Sequence, residues 1–134
     1  MGFTGSREVM TDRQKETFRQ ILPKCGPTEF HHGDCLGADA EAHAIVKSCC
    51  ATARLIIHPP SSDSLRAFCQ GDAHLPPKPY LARNQDIVDE CEVLVAAPKT
   101  TEEQLRSGTW ATIRYARKRG VTSICLGALT PRLG

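Results

Sequence analysis

Two short segments of the sequence combine residue types that bind phosphate. Gly5-Ser6-Arg7 offers backbone N–H groups with no Cβ in the way, a hydroxyl group and a guanidinium whose planar fork matches a phosphate. Ser107-Gly108-Thr109 opens a predicted helix, where free N–H groups and the positive end of the helix dipole attract an anion. An ordinary helix cap explains the second segment equally well when it is considered alone. Taken together, the two segments predict a site for a phosphorylated ligand.

A third segment, Gly33-Asp34-Cys35-Leu36-Gly37-Ala38-Asp39, is suited to contact the rest of such a ligand. Gly33 and Gly37 would let the backbone approach the ligand closely, and Asp34 lies between them. Asp39 could accept hydrogen bonds from ribose hydroxyls or simply cap the helix that follows. None of the three segments has the spacing of a P-loop or of a GxGxxG motif, which disfavours ATPase and NAD-dependent functions.

The histidines and cysteines do not have the spacing of a metal site. His31 and His32 are neighbours on a predicted strand, so their side chains point to opposite faces, and His43 and His58 lie far apart in the sequence. The seven cysteines are an odd number and include no CxxC pair. We therefore predict reduced thiols, no metal and no cofactor.

Strands and helices must position these segments. Short apolar runs alternate along the sequence with stretches of helical periodicity, a pattern typical of a parallel sheet covered by helices. Five strands are predicted at residues 1–4, 28–32, 54–58, 92–97 and 121–126, and four helices at residues 11–22, 38–48, 82–90 and 109–119. Pro23 is predicted to end the first helix. The three glycine-containing segments follow the first, second and fourth strands, so we expect them to meet at the carboxyl edge of the sheet.

Residues 61–80 lack clear periodicity and carry Arg66 and Lys78. Because a loop of this length is uncommon in a compact domain, we predict a lid whose cations bind phosphate. Near the end of this loop, Arg83 and Asn84 begin the third helix and are added to the predicted site.

Length and composition limit the class of protein. A chain of 134 residues has room for one domain, predicted here to span 1–134. The net charge of +2 and the 5% aromatic content do not favour a nucleic-acid partner. No apolar run is long enough to span a membrane and no leader is visible, so we expect a cytoplasmic protein.

The order of these motifs resembles the SLOG superfamily of Rossmann-like nucleotide-binding proteins. The likeness rests on Gly5-Ser6-Arg7, the Gly37-Ala38-Asp39-x-x-Ala42-His43 run, Arg83-Asn84 and Ser107-Gly108-Thr109. The superfamily includes DNA-processing protein A, the Lonely Guy phosphoribohydrolases and stand-alone domains linked to nucleotide signalling. The resemblance implies an α/β Rossmann-like three-layer fold that binds a nucleotide or a nucleotide-derived signal. It also implies a homodimer, for which Ile87, Trp110 and Ile113 are candidate contacts.

Two departures from Lonely Guy enzymes concern catalysis. Those enzymes have a catalytic arginine that resembles Arg83 and a catalytic glutamate three residues after the threonine of a PGGxGT motif. Thr112 stands in the position of that glutamate, and the PGG part of the motif is absent. Glu102 or Glu103 could supply the carboxylate that N-glycosidic cleavage needs. The sequence therefore favours binding, with N-glycosidic hydrolysis as the alternative and single-stranded DNA binding as a weaker one.

Overall fold

The computed structural model describes residues 1–100 and 102–127, in which six strands and four helices alternate except that the fourth strand follows the third with no α-helix between them. The strands are β1 (Gly2–Gly5), β2 (Glu29–His32), β3 (Arg54–Ile57), β4 (Ala73–His74), β5 (Val93–Ala97) and β6 (Thr122–Cys125). The helices are α1 (Asp12–Cys25), α2 (Ala38–Cys49), α3 (Tyr80–Asp89) and α4 (Gly108–Arg119), and one turn of 3-10 helix covers Asp63–Leu65.

All six strands run parallel in one sheet with the order β4-β3-β2-β1-β5-β6. Helices α1 and α2 cover one face, where Phe3, Phe18 and Phe30 pack with ring centroids 5.5 to 6.0 Å apart. Helices α3 and α4 cover the other face and bury Ile87 and Ile113. The predicted three-layer, Rossmann-like α/β fold is confirmed.

The sheet has one strand more than predicted. Strand β4 lies inside the predicted loop 61–80 and pairs with the outer edge of β3, with Ala73 opposite Ile56 and His74 opposite Ile57. A strand of two residues carries no periodicity, so only its pairing with β3 reveals it.

Helix α1 continues through Pro23, which was predicted to end it. Pro23 lies in the last turn, where its missing N–H removes only one hydrogen bond of the helix. Gly26 then adopts the left-handed conformation, with φ at 53°, and donates its N–H to the carbonyl of Leu22 at 2.9 Å. This glycine cap ends the helix.

The sheet order creates a crevice beside β1. The chain passes from β1 outward to β4 and then returns through α3 to place β5 on the other side of β1. Open parallel sheets bind ligands at the carboxyl ends of strands where the order reverses in this way. Among the helices within residues 1–100 and 102–127, none combines the length and the apolar character that crossing a membrane requires.

The three residues predicted as dimer contacts are buried inside the protomer. Ile87, Trp110 and Ile113 are 1%, 6% and 0% exposed. They pack α3 and α4 against the sheet, because the apolar stripe of a helix that covers a sheet is turned towards that sheet. They are therefore not available as contacts with a second copy.

Candidate functional site

A cavity of about 630 Å³ opens at the carboxyl ends of β1 and β5. This volume lies within the range of small-molecule sites, which is roughly 300–1,000 Å³. Nine of the twelve predicted binding residues line it: Gly5, Ser6, Arg7, Asp39, Arg83, Asn84, Ser107, Gly108 and Thr109. The fold thus brings together segments that are up to a hundred residues apart in the sequence, because parallel strands end at the same edge.

Two features of the cavity wall suit a phosphate group. Arg7 is exposed and makes no ion pair or side-chain hydrogen bond with the described residues. At the start of α4, the Ser107 hydroxyl accepts the Trp110 N–H at 3.2 Å, which makes Ser107 a true helix cap. The N–H groups of Gly108 and Thr109 have no partner within the helix and border the cavity. An anion at this helix end would receive both N–H groups.

Arg83 places a buried guanidinium in the cavity wall. Its side chain is 5% exposed, and Nη1 donates to the carbonyl oxygens of Gly33 and His58. Its Nη2 contacts the sulfur of Cys35 at 3.5 Å. No carboxylate of residues 1–100 or 102–127 forms an ion pair with it. A buried cation without a carboxylate partner favours an anionic or strongly polar ligand.

Asp39 is the buried acid of the same wall. It is 5% exposed, and Oδ2 accepts the Cys35 N–H at 3.2 Å. Oδ1 is buried and has no hydrogen-bond partner in the described part of the chain. Burial raises the pKa of Asp39 to about 6, because the loss of solvation outweighs the attraction of Arg83. A buried carboxyl group with a perturbed pKa in a cavity is typical of functional sites.

Two predicted glycines make room for protein atoms and do not line the cavity. A Cβ on Gly33 would collide with the Arg83 guanidinium and come within 3.0 Å of Asp39 Oδ2. Gly37 has a φ of 92°, and a Cβ there would collide with the carbonyl of Arg7. The sequence explained these glycines by close approach to a ligand, whereas the structure shows them packed against the residues that form the site.

Asp34 also lies outside the cavity lining, and it anchors the segment 61–80. Its Oδ2 accepts from Arg66 Nε at 2.7 Å, and its Oδ1 accepts the Cys69 N–H at 2.8 Å. Its backbone carbonyl accepts the Ala67 N–H at 2.7 Å. The cation expected to bind phosphate, Arg66, is therefore already paired, and Lys78 pairs with Asp86 at 2.6 Å.

Several cavity residues escaped the sequence analysis. They comprise two cations, polar residues and an apolar wall: Lys99, Arg106, Glu8, Thr100, Gln104, Cys35, Pro60, Leu65 and Tyr80. Lys99 pairs with Glu8 at 2.9 Å. Lys99 and Thr100 come shortly after β5, so their position at the end of a predicted strand could have indicated that they line the cavity. The Tyr80 ring is close to α4, since a Cβ on Gly108 would lie 3.2 Å from it.

The residues considered for hydrolysis are not gathered in the cavity. Glu102 and Glu103 do not line it, and Glu103 pairs with Arg114 at 2.8 Å and with Arg117 at 3.6 Å. The Thr112 hydroxyl donates to the carbonyl of Gly108 at 2.9 Å inside α4. Asp39 is thus the acid with a raised pKa beside Arg83 in the lining.

A histidine cluster on the other side of β2 has the composition of a metal site. His32 Nε2 and His43 Nδ1 are 2.9 Å apart, and with Cys69 Sγ these atoms lie within 4.8 Å of one another. However, the Asp34 N–H donates to His32 Nδ1 at 3.0 Å, which puts the proton of neutral His32 on Nε2. A metal at Nε2 would require a protonated Nδ1 facing that N–H. Hydrogen bonding explains this cluster without a metal.

The sequence matches no protein-family model, and no curated protein matches it significantly. Solved structures do share its architecture. A molybdenum cofactor binding protein from the phototrophic bacterium Rippkaea orientalis has a TM-score of 0.69 and 20% identity, over 92% of this chain and 73% of its own. The structural genomics target TM1055 has a TM-score of 0.62 and 12% identity, over 91% and 71%. DNA processing protein A from Streptococcus pneumoniae has a TM-score of 0.65 and 16% identity, over 92% and 49%.

The structural similarity shows that the chain shares the Rossmann-like α/β fold of these proteins, the fold that its motifs predicted. Fold alone does not determine activity, so the function must be argued from the cavity.

Proposed function

We propose that the protein binds a nucleotide or nucleotide-derived molecule in the cavity beside β1. The observation that carries the proposal is the joint presence of Arg7, Arg83 and the start of α4 in one cavity wall. A phosphate would lie between the Arg7 guanidinium and the N–H groups of Gly108 and Thr109. These are charge-assisted contacts, which are among the stronger polar interactions of proteins.

An apolar part of the lining suits the less polar part of such a ligand. Pro60, Leu65 and Tyr80 supply apolar and aromatic surface. Tyr80 is 46% exposed, so its ring has a free face on which a base can stack. A cationic region beside an apolar one matches a molecule with a phosphate at one end and a flat ring at the other.

The solved neighbour from Rippkaea orientalis supports binding of a small molecule by this fold, since it is described as a molybdenum cofactor binding protein. Because the two sequences are only 20% identical, the ligand of that protein is not assigned to this chain. Mass spectrometry of molecules released from the natively purified protein identifies the bound compound directly. Detection of a nucleotide-like compound is the result we expect.

Calorimetry with AMP and GMP tests the phosphate contact. Arg7→Ala should weaken binding roughly ten- to hundredfold, because a hydrogen-bonded charge contributes about 1.5–3 kcal/mol. The matched control is Arg119→Ala, which removes an exposed arginine at the far end of α4. Equal affinities for Arg7→Ala and the wild type, with the fold intact, would contradict the proposed phosphate site.

N-glycosidic hydrolysis is a second candidate, and the position of Asp39 favours it. Asp39 lines the cavity beside Arg83, and a pKa of about 6 suits a group that exchanges protons near neutral pH. Incubation of the protein with AMP or GMP, followed by chromatography of the free base, separates the two functions. We expect no release of base. Release that Asp39→Asn abolishes would assign the protein to the hydrolases.

A further inference from the structure

Asp39 and Arg83 each keep an unused hydrogen-bonding position in the same part of the cavity wall. Both residues contact Cys35, since its N–H donates to Asp39 Oδ2 at 3.2 Å and its sulfur lies 3.5 Å from Arg83 Nη2. Oδ1 of Asp39 has no partner among the described residues, and the sulfur is a weak acceptor for Nη2. One strong acceptor and one strong donor therefore stand side by side.

These two side chains do not pair with each other. No ion pair joins them, although the charge of Arg83 favours the ionised form of the Asp39 carboxyl group. Nη1 of Arg83 is held by the carbonyl oxygens of Gly33 and His58, which fixes the guanidinium in its position. A buried acceptor with no partner and a buried donor held only by a sulfur atom are costly, and such groups are typical of positions that a ligand completes.

We infer that Asp39 and Arg83 are the specificity-determining pair of the cavity and bind a ligand group that presents a hydrogen-bond donor next to an acceptor. This inference rests on the proposed function. In a nucleotide, the vicinal diol of the ribose has this chemistry. A base edge can have it too, either the lactam edge of guanine, in which a C=O stands next to an N–H, or the edge of adenine, in which the amino group stands next to a ring nitrogen. A ligand lacking the group leaves Asp39 Oδ1 without a partner and Arg83 Nη2 with only the Cys35 sulfur, and it is rejected.

The charges around Asp39 agree with its role as an acceptor. Arg83 from α3 favours the carboxylate, whereas Asp34 from the loop after β2 and burial favour the neutral acid. With a pKa of about 6, Asp39 is mostly ionised at pH 7.5 and accepts hydrogen bonds with both oxygens. Affinity for a ligand with the matching donor should fall as the pH decreases from 7.5 to 5, because protonation removes the acceptor.

Calorimetry with four ligands tests the inference: AMP, GMP and their 2′,3′-dideoxy forms, each measured against the wild type and Asp39→Asn. We expect Asp39→Asn to lose roughly ten- to hundredfold in affinity only for ligands that carry the recognised group. If the diol is recognised, AMP and GMP lose affinity and both dideoxy forms do not. If a base edge is recognised, the two ligands that carry that base lose affinity and the two ligands with the other base do not.

An equal effect of Asp39→Asn on all four ligands, or no effect on any, would overturn the inference while leaving the proposed function standing. Failure of all four to bind the wild type would instead contradict the proposed function. The pH dependence of the wild type requires no variant and covers the case in which Asp39→Asn fails to fold. An affinity that falls equally towards pH 5 for ligands with and without the recognised group would also overturn the inference.

Discussion

At the scale of single residues, Asp39 shows how a binding site can oppose stability. Its pKa is raised from 3.8 to about 6 on folding, mainly by burial. The native state therefore binds more protons than the unfolded state between these pH values, and stability falls as the pH rises through this window. Above pH 6 the full destabilisation is present.

We predict that Asp39→Asn increases the free energy of unfolding at pH 8. The expected gain is about 1–3 kcal/mol, since a shift of one pKa unit corresponds to about 1.4 kcal/mol. Urea denaturation of the variant and the wild type at pH 8 and pH 4.5 measures it. The advantage of the variant should be clearly smaller at pH 4.5, because most of the window between the two pKa values lies above that pH. A variant less stable than the wild type at pH 8 would show that the carboxylate stabilises the fold.

At the scale of elements, the segment 61–80 is held to the sheet by three kinds of contact. Strand β4 pairs with β3, a β-bridge joins Pro60 to Lys78, and Asp34 holds the part around Arg66 and Cys69. Arg66 and Lys78 have carboxylate partners, so the segment does not need phosphate to neutralise them. Whether it acts as a lid stays a prediction, tested by proteolysis within 61–80 with and without nucleotide.

Asp34→Ala should release this segment from the body of the protein. Asp34 is fully buried, and removal of one partner from a buried ion pair costs about 3–5 kcal/mol. We expect a lower melting temperature and faster proteolysis within 61–80. Asp86→Ala is the matched control, because it breaks the exposed ion pair with Lys78, which is worth at most about 1 kcal/mol. Equal proteolysis rates for the two variants would contradict the anchoring role.

At the scale of the whole molecule, four buried histidines make the fold sensitive to acid. Burial lowers the pKa of His32 to about 3 and that of His58 to about 4, and it lowers the pKa values of His31 and His43 as well. The unfolded chain takes up protons at His32 and His58 below pH 6.5, whereas the native state takes them up only near pH 3 and pH 4. Stability is therefore complete above pH 6.5 and is lost as the pH falls towards 4.

We predict a loss of several kcal/mol between pH 7 and pH 4, since His32 and His58 each add a slope of about 1.4 kcal/mol per pH unit below pH 6.5. Urea denaturation across this range measures the slope. His58→Gln should flatten it, whereas His74→Gln, at an exposed position on β4, should not. A stability that stays constant or rises as the pH falls would contradict this account.

Self-association also belongs to the whole molecule and stays a prediction from the resemblance. Ile87, Trp110 and Ile113 cannot supply the contact, because they are buried in the protomer. Other apolar side chains are exposed, among them Leu36, Phe68 and Leu81. We expect light scattering at tens of micromolar to give a dimer mass. A monomer mass would contradict the prediction, and Leu81→Glu tests this surface if a dimer is found.

The local elements were predictable from the sequence because their signals are local. Five of the six strands and all four helices lie within a few residues of their predicted bounds, since apolar periodicity and caps such as Thr11 and Gly120 act over a few residues. It was also predictable that one cavity would contain both Gly5-Ser6-Arg7 and Ser107-Gly108-Thr109, because parallel strands end at a common edge of the sheet.

Long-range packing decided the rest. Asp34 anchors a loop and Asp39 lines the cavity, yet both are acids in one glycine-rich segment, and nothing local distinguishes them. The two residues of β4 are a strand only because the edge of β3 offers hydrogen bonds. Gly33 is required because the guanidinium of Arg83, fifty residues later, occupies the place of its Cβ. Such roles depend on which distant atoms become neighbours on folding, and the identity of a residue does not specify its neighbours.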